Sequence, residues 1–294
     1  MAEKLTYYSS GKLLITSEYA VIDGACALAL PTKLGQSMTV LNAEKSRLRW
    51  IAKDIDGKIW FENDFDTIDF NPIYQKDNIS KRLQKILTKV REQNQYFLAG
   101  SIGAVVETQL DFSRNWGLGS SSTLINNIAQ WANVNPFDLH QKVFGGSGYD
   151  IACAQKFKPI TYKLINQNPI VTDVSFHPPF HQHLFFVYIN KKQNSRISIR
   201  HHYNGVTDQL IDALNTLTKR FIDAKTVSDF QMLMLAHESI VSKLIGIEPV
   251  QETEFSDYEG VVKSLGAWGG DFVLACGSTK SKEYFAGKGF TVCF

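Results

Sequence analysis

The chain has 294 residues, of which 44% are hydrophobic and 20% charged, and its 31 Lys+Arg nearly balance its 29 Asp+Glu. This composition is typical of a globular protein with one large domain or two medium ones. A net charge of +2 provides no field that favours nucleic acid or an anionic membrane. We therefore expect neither of these among its partners.

Targeting signals and metal-type cysteine motifs are not evident. No apolar run reaches the ~18–20 residues of a membrane helix, and residues 1–10 lack the apolar core of a signal peptide. The cysteines form no CxxC pair and lie in apolar contexts: Cys26, Cys153, Cys276 and Cys293. These features predict reduced, buried thiols in a cytoplasmic protein.

The first third of the chain is predicted to be mainly β-strand. Residues 27–40 and 46–53 have strand character, and Asp56-Gly57 marks a hairpin turn. Residues 81–94 change to a helical period, since Leu83, Ile86, Leu87 and Val90 share one face. Residues 99–112 are predicted to form the next strand.

A glycine- and serine-rich stretch follows, NWGLGSSSTL at residues 115–124. The spacing of Leu124, Ile128, Trp131 and Ala132 predicts a helix that begins near Ser122. Glycine allows the backbone to approach an anion, and the free N–H groups of a helix start point at it. The stretch therefore indicates a phosphate loop, with a flexible turn capped by serine as the alternative. No GxxxxGK[ST] occurs, which excludes a Walker-type site.

The second half alternates strand and helix signals. His177-Pro178-Pro179 excludes a helix, whereas residues 183–190 read as a strand. Helices are predicted at about 207–224 and 228–245, the latter ending at Gly246. Residues 259–277 read as strand, glycine-rich turn and strand. We expect an α+β fold with two lobes, residues 1–160 and 161–294.

Four motifs of the sequence resemble those of a known protein family and occur in the same order as in that family. GLGSS (117–121) resembles the phosphate-binding motif of the GHMP kinases, the superfamily of galactokinase, homoserine kinase, mevalonate kinase and phosphomevalonate kinase. GKLLITSEYAVIDGACALALP (11–31) resembles the N-terminal motif of that family, and GGSGYDIA (145–152) resembles its catalytic aspartate segment. KSLGAWGGDFVLA (263–275) resembles its C-terminal glycine loop. The family's architecture implies an N-terminal lobe like ribosomal protein S5 domain 2 and a ferredoxin-like C-terminal lobe.

The resemblance implies two catalytic residues. Asp150 would orient and deprotonate the acceptor hydroxyl, and Lys12 would lower the pKa of that hydroxyl and stabilise transition-state charge. The residues alone also allow simpler roles. Asp150 is predicted to lie in a loop between Gly148 and Ile151, where it could form an Asx turn or cap the next helix, and Lys12 could be an ordinary edge-strand lysine.

The resemblance also implies binding residues for ATP, Mg²⁺ and the acceptor. Ser121 would bind the metal, and Glu18, Tyr19, Ser147 and Gly148 would face the substrate, although Glu18 could equally be a structural hydrogen-bond partner. The nucleotide would be held by a larger set: Gly117, Leu118, Gly119, Ser120, Ser121, Ser122, Gly266, Gly269 and Gly270.

The sequence departs from the family pattern at three places. The residues before GLGSS are Ser113 to Trp116, without the usual proline, and Trp268 replaces a glycine of the C-terminal loop. Many members also carry a Mg²⁺-binding glutamate about ten residues before the aspartate, where this chain has residues 138–142, DLHQK. Asp138 is the nearest carboxylate, so either it would hold Mg²⁺, or Ser121, phosphates and water would do so, or activity would be reduced.

The resemblance therefore predicts an ATP- and Mg²⁺-dependent small-molecule kinase of isoprenoid precursor synthesis, a monomer or homodimer, that acts on mevalonate or phosphomevalonate. Phosphomevalonate would require extra cations, for which Lys33, Lys191 and Lys192 are candidates. Two alternatives remain open at this point: a diphosphomevalonate decarboxylase-like enzyme and a non-catalytic ligand-binding protein of the same fold.

Overall fold

The computed structural model describes residues 4–43, 46–100, 103–190, 206–266, 268 and 270–293. Within these residues the chain forms eleven strands: β1 (Lys4–Leu14), β2 (Ala27–Ala43), β3 (Arg47–Lys53), β4 (Ile59–Asp66), β5 (Gly103–Leu110), β6 (Ile160–Ile165), β7 (Asn168–Asp173), β8 (Leu184–Tyr188), β9 (Val261–Ser264), β10 (Phe272–Cys276) and β11 (Thr291–Val292). It also forms eight helices: α1 (Asn78–Gln93), α2 (Ser120–Ala132), α3 (Pro136–Val143), α4 (Tyr149–Ala154), α5 (Asp208–Asp223), α6 (Val227–Ile245), α7 (Val250–Glu254) and α8 (Ser281–Gly287). The predicted α+β class is confirmed.

The described residues divide into two compact units that are discontinuous in sequence. Unit 1 comprises Met1–Lys12, Thr32–Arg114 and Leu118–Phe157, and unit 2 comprises Leu13–Pro31, Asn115–Gly117 and Lys158–Phe294. The lobe boundary near residue 160, and the resemblance of each lobe to a known domain, stay predictions.

Unit 1 is built on a mixed sheet in the order β4-β3-β5-β2, with β1 also paired to β2. Strands β3 and β5 run parallel, with Trp50 opposite Val106, and strand β4 and helix α1 lie in the long connection between them. The core that covers the sheet combines strand residues with the apolar faces of α1, α2 and α3, including Trp50, Phe65, Leu87, Val106, Ile128 and Leu139.

Unit 2 contains a four-stranded antiparallel sheet in the order β11-β8-β10-β9. Its core, which is rich in aromatic residues, includes Phe185, Val187, Phe255, Val273 and Phe285. Hairpin β6–β7 pairs with the first residues of β2, where Ala27 lies opposite Tyr162. The predicted cap of α6 is confirmed, since Gly246 ends that helix with a φ of 67°.

The local predictions are largely confirmed, with two corrections. Helix α2 begins at Ser120 rather than near Ser122, because glycine at 119 supplies the left-handed conformation that precedes it. Of the four free cysteines, Cys153 and Cys276 are buried as expected, but Cys26 and Cys293 are partly exposed. No helix in the described part of the chain has the length and hydropathy that a membrane span requires.

Candidate functional site

The start of helix α2 offers backbone donors to an anion. Gly119 precedes the helix with a φ of 88° and has no side chain that could cap it. The first amide bonded back into this helix is that of Thr123, which donates to the Gly119 carbonyl at 3.0 Å. The amides of Ser120–Ser122 therefore lack helical acceptors, and the first turn carries no acidic residue. Such an end is suited to bind phosphate.

The three serine hydroxyls at this helix start have different surroundings. Ser121 is exposed and Ser120 is partly exposed, so both hydroxyls are accessible to a ligand. Ser122 is buried and donates its hydroxyl hydrogen to the Gly119 carbonyl at 2.8 Å. Of the predicted ligands, Ser122 can thus contribute its amide while its hydroxyl stabilises the turn.

A buried polar network fixes helix α2 against strands β1 and β2. The Ser9 hydroxyl donates to Asn127 Oδ1 at 2.7 Å, and Asn126 Nδ2 donates to the Ser9 hydroxyl at 2.8 Å. Asn127 Nδ2 donates to the Gln36 carbonyl at 2.9 Å. Because each of these groups is buried, breaking the network would leave polar atoms without partners, and the start of the helix is therefore rigidly held.

Lys12 contacts the phosphate loop directly. Its amide donates to the Leu118 carbonyl at 3.0 Å. Its side-chain stem passes beside Gly119, where an added Cβ would come within 3.2 Å of Lys12 Cγ. The preceding Gly11 is equally confined, since a Cβ there would lie 2.9 Å from the Leu34 carbonyl oxygen. Glycine at positions 11 and 119 therefore permits this close packing.

The ammonium of Lys12 faces helix α4. Lys12 Nζ lies 5.6 Å from the centroid of the Tyr149 ring. Burial acts to lower the pKa of Lys12, but interactions with Tyr149, Asp150 and Cys153 outweigh it and raise the pKa above its usual value. Lys12 is therefore a cation at neutral pH whose stem contacts the phosphate loop and whose charge interacts with Asp150.

Asp150 lies on helix α4 and not in a loop as the sequence suggested. Gly148 precedes the helix with a φ of 81°, so the helix starts before the aspartate. Asp150 Oδ1 accepts the Ile151 amide hydrogen at 3.1 Å. Burial acts to raise the pKa of Asp150, but His140, Lys12 and the Ile151 amide outweigh it and lower the pKa below its usual value. The carboxylate is consequently ionised at neutral pH.

His140 is a neighbour of Asp150 that the sequence interpretation missed. Its Nε2 lies 3.6 Å from Asp150 Oδ2, and it is buried on helix α3. It stands ten residues before the aspartate, in the stretch 138–142 where the resemblance leads one to expect an acid. That spacing is the signal that could have identified it. Asp138, the predicted substitute, is exposed in the first turn of α3.

Among the predicted substrate residues, Glu18 is completely buried in unit 2. Its Oε1 lies 2.5 Å from Lys263 Nζ, and its Oε2 lies 3.3 Å from His237 Nε2. Burial raises the pKa of Glu18 and is opposed by Lys263. The Ser17 amide donates to His237 Nε2 at 2.8 Å, which leaves the proton of the neutral ring on Nδ1. Glu18 and Lys263 therefore have the geometry of a buried, structural ion pair.

Tyr19 packs against Trp268, the residue that replaces a glycine of the family pattern. The Trp268 indole is completely buried in a cluster with Tyr19, Val241 and Ile245. The Trp268 amide donates to the Tyr19 hydroxyl at 3.2 Å. The large side chain is therefore packed inside unit 2, in a cluster separate from the aromatic core of the four-stranded sheet.

The remaining predicted residues lie at several positions. Ser147 is partly exposed in the turn before α4 in unit 1. Gly266 and Gly270 lie between β9 and β10 in unit 2, whereas Gly269, like Lys191 and Lys192, lies outside the described residues.

Gly117 belongs to unit 2 and lies against a carboxylate. A Cβ at this position would come within 2.1 Å of Asp271 Oδ2, so any larger residue would displace the Asp271 carboxylate. The ring centroid of the neighbouring Trp116 lies 5.5 Å from that of Tyr188 and 5.6 Å from that of Phe272. The predicted site residues that the structure brings together all lie in unit 1. They are Lys12, Leu118 to Ser122, and Asp150 with its helix cap Gly148.

Comparison with solved structures identifies the fold. No protein-family model and no curated protein sequence matches the chain. The phosphomevalonate kinase of Streptococcus pneumoniae in complex with phosphomevalonate and AMPPNP superposes with a TM-score of 0.75 at 14% identity, over 99% of this chain and 98% of that one. The chain therefore has the fold of the GHMP kinases.

Two further structures share the fold over almost the whole chain. The mevalonate kinase of Methanococcus jannaschii gives a TM-score of 0.69 at 14% identity, over 99% of this chain and 97% of that one. The galactokinase of Lactococcus lactis, complexed with galactose, gives 0.65 at 14% identity, over 99% and 93%. The neighbours thus include mevalonate and phosphomevalonate kinases as well as a sugar kinase.

Proposed function

We propose that this protein is a small-molecule kinase that transfers the γ-phosphoryl group of ATP to a hydroxyl or phosphate acceptor, with mevalonate or phosphomevalonate as the acceptor. One observation carries the proposal. The Lys12 backbone and stem contact the phosphate loop at Leu118 and Gly119, while its ammonium interacts with Asp150. Unit 1 therefore joins an anion-binding helix start, a cation and a carboxylate through a single residue.

These groups fit the demands of phosphoryl transfer. The acceptor oxygen forms a bond to the γ-phosphorus while the bond from that phosphorus to the ADP oxygen breaks. The α2 amides bind the phosphates, and Lys12 stabilises the charge that develops on the transferred group. When the acceptor is a hydroxyl, Asp150 accepts a hydrogen bond from it and receives its proton, whereas a phosphate acceptor reacts through an oxygen that is already ionised. Its lowered pKa makes it a weak base, so its main contribution is orientation, as is usual when positioning dominates.

Magnesium fits this arrangement as an ion held mainly by phosphate. In the part of the chain that the structure describes, no group of three or more His, Cys, Asp or Glu residues is placed to bind a metal. The exposed hydroxyl of Ser121 is available beside the helix start. Mg²⁺ commonly takes few protein ligands and keeps phosphate oxygens and water, and it would supply charge neutralisation there.

The choice of acceptor is supported by resemblance and by two neighbours. The SEYAVIDG and GGD sequences resemble mevalonate and phosphomevalonate kinases, and structures of both enzymes share the fold. Lys33, a candidate for an extra anionic group, is exposed in unit 1. Cytoplasmic location and a monomeric or homodimeric state complete the proposal.

One experiment tests the activity and identifies the acceptor. ADP release is measured with ATP and Mg²⁺ on mevalonate, phosphomevalonate, homoserine and several sugars, for wild type, Asp150→Asn and the exposed control Asp56→Asn. We expect turnover on one acceptor, a fall of about 10²-fold or more in kcat for Asp150→Asn, and no change for the control. Full activity in Asp150→Asn would exclude the proposed role of this carboxylate.

The same assay separates the alternative functions. Release of carbon dioxide from diphosphomevalonate would identify a decarboxylase, although retention of Lys12 argues against it. ATP binding without turnover on any acceptor would indicate a non-catalytic protein, which the replacement of the expected acid by His140 favours. The retention of Lys12, Ser121 and Asp150 together opposes that alternative.

A further inference from the structure

His140 is fixed beside Asp150 by its own segment of chain. Helix α3 begins at Pro136, and Asn135 caps it by accepting the amide hydrogens of Phe137 and Asp138. His140 follows on the buried side of this helix, and its ring lies 5.9 Å from that of Phe144. These constraints hold the imidazole in place independently of any ligand.

The turn that follows α3 passes beside the His140 ring. A Cβ at Gly146 would lie 4.0 Å from His140 Cε1, and the φ of 102° at Gly146 strongly favours glycine. Lys85 on helix α1 reinforces the same turn by donating from Nζ to the Val143 carbonyl at 2.8 Å. The chain therefore brings a rigid, buried imidazole to the carboxylate that the proposed mechanism uses.

The two carboxylate oxygens of Asp150 have separate partners. Oδ1 accepts the Ile151 amide hydrogen, whereas Oδ2 faces His140 Nε2 at 3.6 Å. The side chain of Asp150 remains 22% exposed and that of His140 only 8%, so a ligand can reach the carboxylate while the imidazole stays enclosed. At 3.6 Å the contact is longer than a hydrogen bond, and such contacts often tighten when substrate binds.

We propose that His140 is a positioning residue that holds the Asp150 carboxylate in the orientation needed for the acceptor hydroxyl. The inference rests on the proposed function, because it concerns the group that receives the hydroxyl proton. During transfer to a hydroxyl that proton passes to Asp150, the new oxygen–phosphorus bond forms and ADP departs, while His140 takes no part in the proton transfer. Its contribution is to restrict the carboxylate, not to touch the reacting atoms.

The first test is kinetic and uses two variants of the same residue. His140→Leu removes the polar contact, and we expect kcat to fall by about 10–100-fold with the KM for ATP nearly unchanged, because the phosphate loop is intact. His140→Gln retains a donor and should recover much of the loss. His181→Leu, at an exposed histidine of unit 2, is the matched control and should retain wild-type kcat. A wild-type kcat for His140→Leu would overturn the proposal.

The second test needs no turnover. The Asp150 carboxyl carbon is followed by NMR as pH is varied in wild type, His140→Leu and His181→Leu. Because His140 is among the groups that lower the pKa of Asp150, His140→Leu should move that titration to higher pH and the control should not. An unchanged titration in folded His140→Leu would overturn the inference. If wild type shows no activity, the proposed function fails, and this titration still decides whether His140 holds Asp150.

Discussion

Replacement of Lys263 by methionine should destabilise unit 2 strongly. The Lys263 side chain is completely buried, and its Nζ lies 2.5 Å from Glu18 Oε1 and 3.9 Å from Glu238 Oε1. At an effective dielectric constant of about 20, the attraction across 2.5 Å is about 7 kcal/mol, which is offset by several kcal/mol of desolvation for each ion. The intact pair thus contributes little net stability. Removal of one partner leaves a buried charge and should cost about 3–5 kcal/mol.

Hydrogen exchange of the β9 and β10 amides is the appropriate assay, because it reports on unit 2 without assuming that the whole chain unfolds in one step. Lys288→Met is the matched control, since Lys288 pairs with Asp257 at 2.7 Å on the surface and its loss should change the exchange little. Adding Glu18→Gln to Lys263→Met should restore part of the stability. Equal hydrogen exchange in Lys263→Met and Lys288→Met would refute the predicted destabilisation. It would also show that the Glu18–Lys263 pair lacks the structural role assigned to it.

Two other predictions follow from single residues. Burial raises the pKa of Glu238 to about 8, so the folded protein retains a proton that the unfolded chain loses near the ordinary value of 4.5. The free energy of unfolding should therefore fall as pH rises, by up to about 2–3 kcal/mol between pH 6 and 8, and Glu238→Gln should lack this slope in unfolding titrations. An added Cβ at Gly119 would lie 2.7 Å from Ser122 Oγ and 3.2 Å from Lys12 Cγ. Calorimetry should show weaker ATP binding for Gly119→Ala but unchanged binding for Gly57→Ala, which has a similar φ and open space; equal binding would contradict the loop's role.

Local sequence signals located several of the helices and turns of the fold. The Asp56-Gly57 pair marks the observed β3–β4 turn, where Gly57 has a φ of 76°. The apolar period of residues 81–94 corresponds to α1. Such signals succeed because backbone conformation and one-sided burial depend on residues a few positions apart. The same reasoning misplaced Asp150 in a loop, since a six-residue helix is too short to show a period.

Pairings between distant residues required the tertiary structure. Glu18 and Lys263 are 245 residues apart and lie in two different motifs of the sequence. Nothing in either segment reveals that each is completely buried against the other. The contact between His140 and Asp150 is closer in sequence, but it depends on how α3 and α4 pack. Burial decides the electrostatics of both pairs, and burial is a property of the packed chain.

The sequence by itself determined the α+β class, the glycine- and serine-rich start of α2 and the resemblance to GHMP kinases, because each depends on local composition and spacing. The tertiary structure alone decided which charged groups meet. It placed Lys12 against the phosphate loop, where its charge interacts with Asp150. It also brought His140 to within 3.6 Å of the Asp150 carboxylate and buried Glu18 against Lys263. The reason is that a charge acts through a few ångströms of space and not along the chain, so its partner and its solvation are set only when the chain has packed.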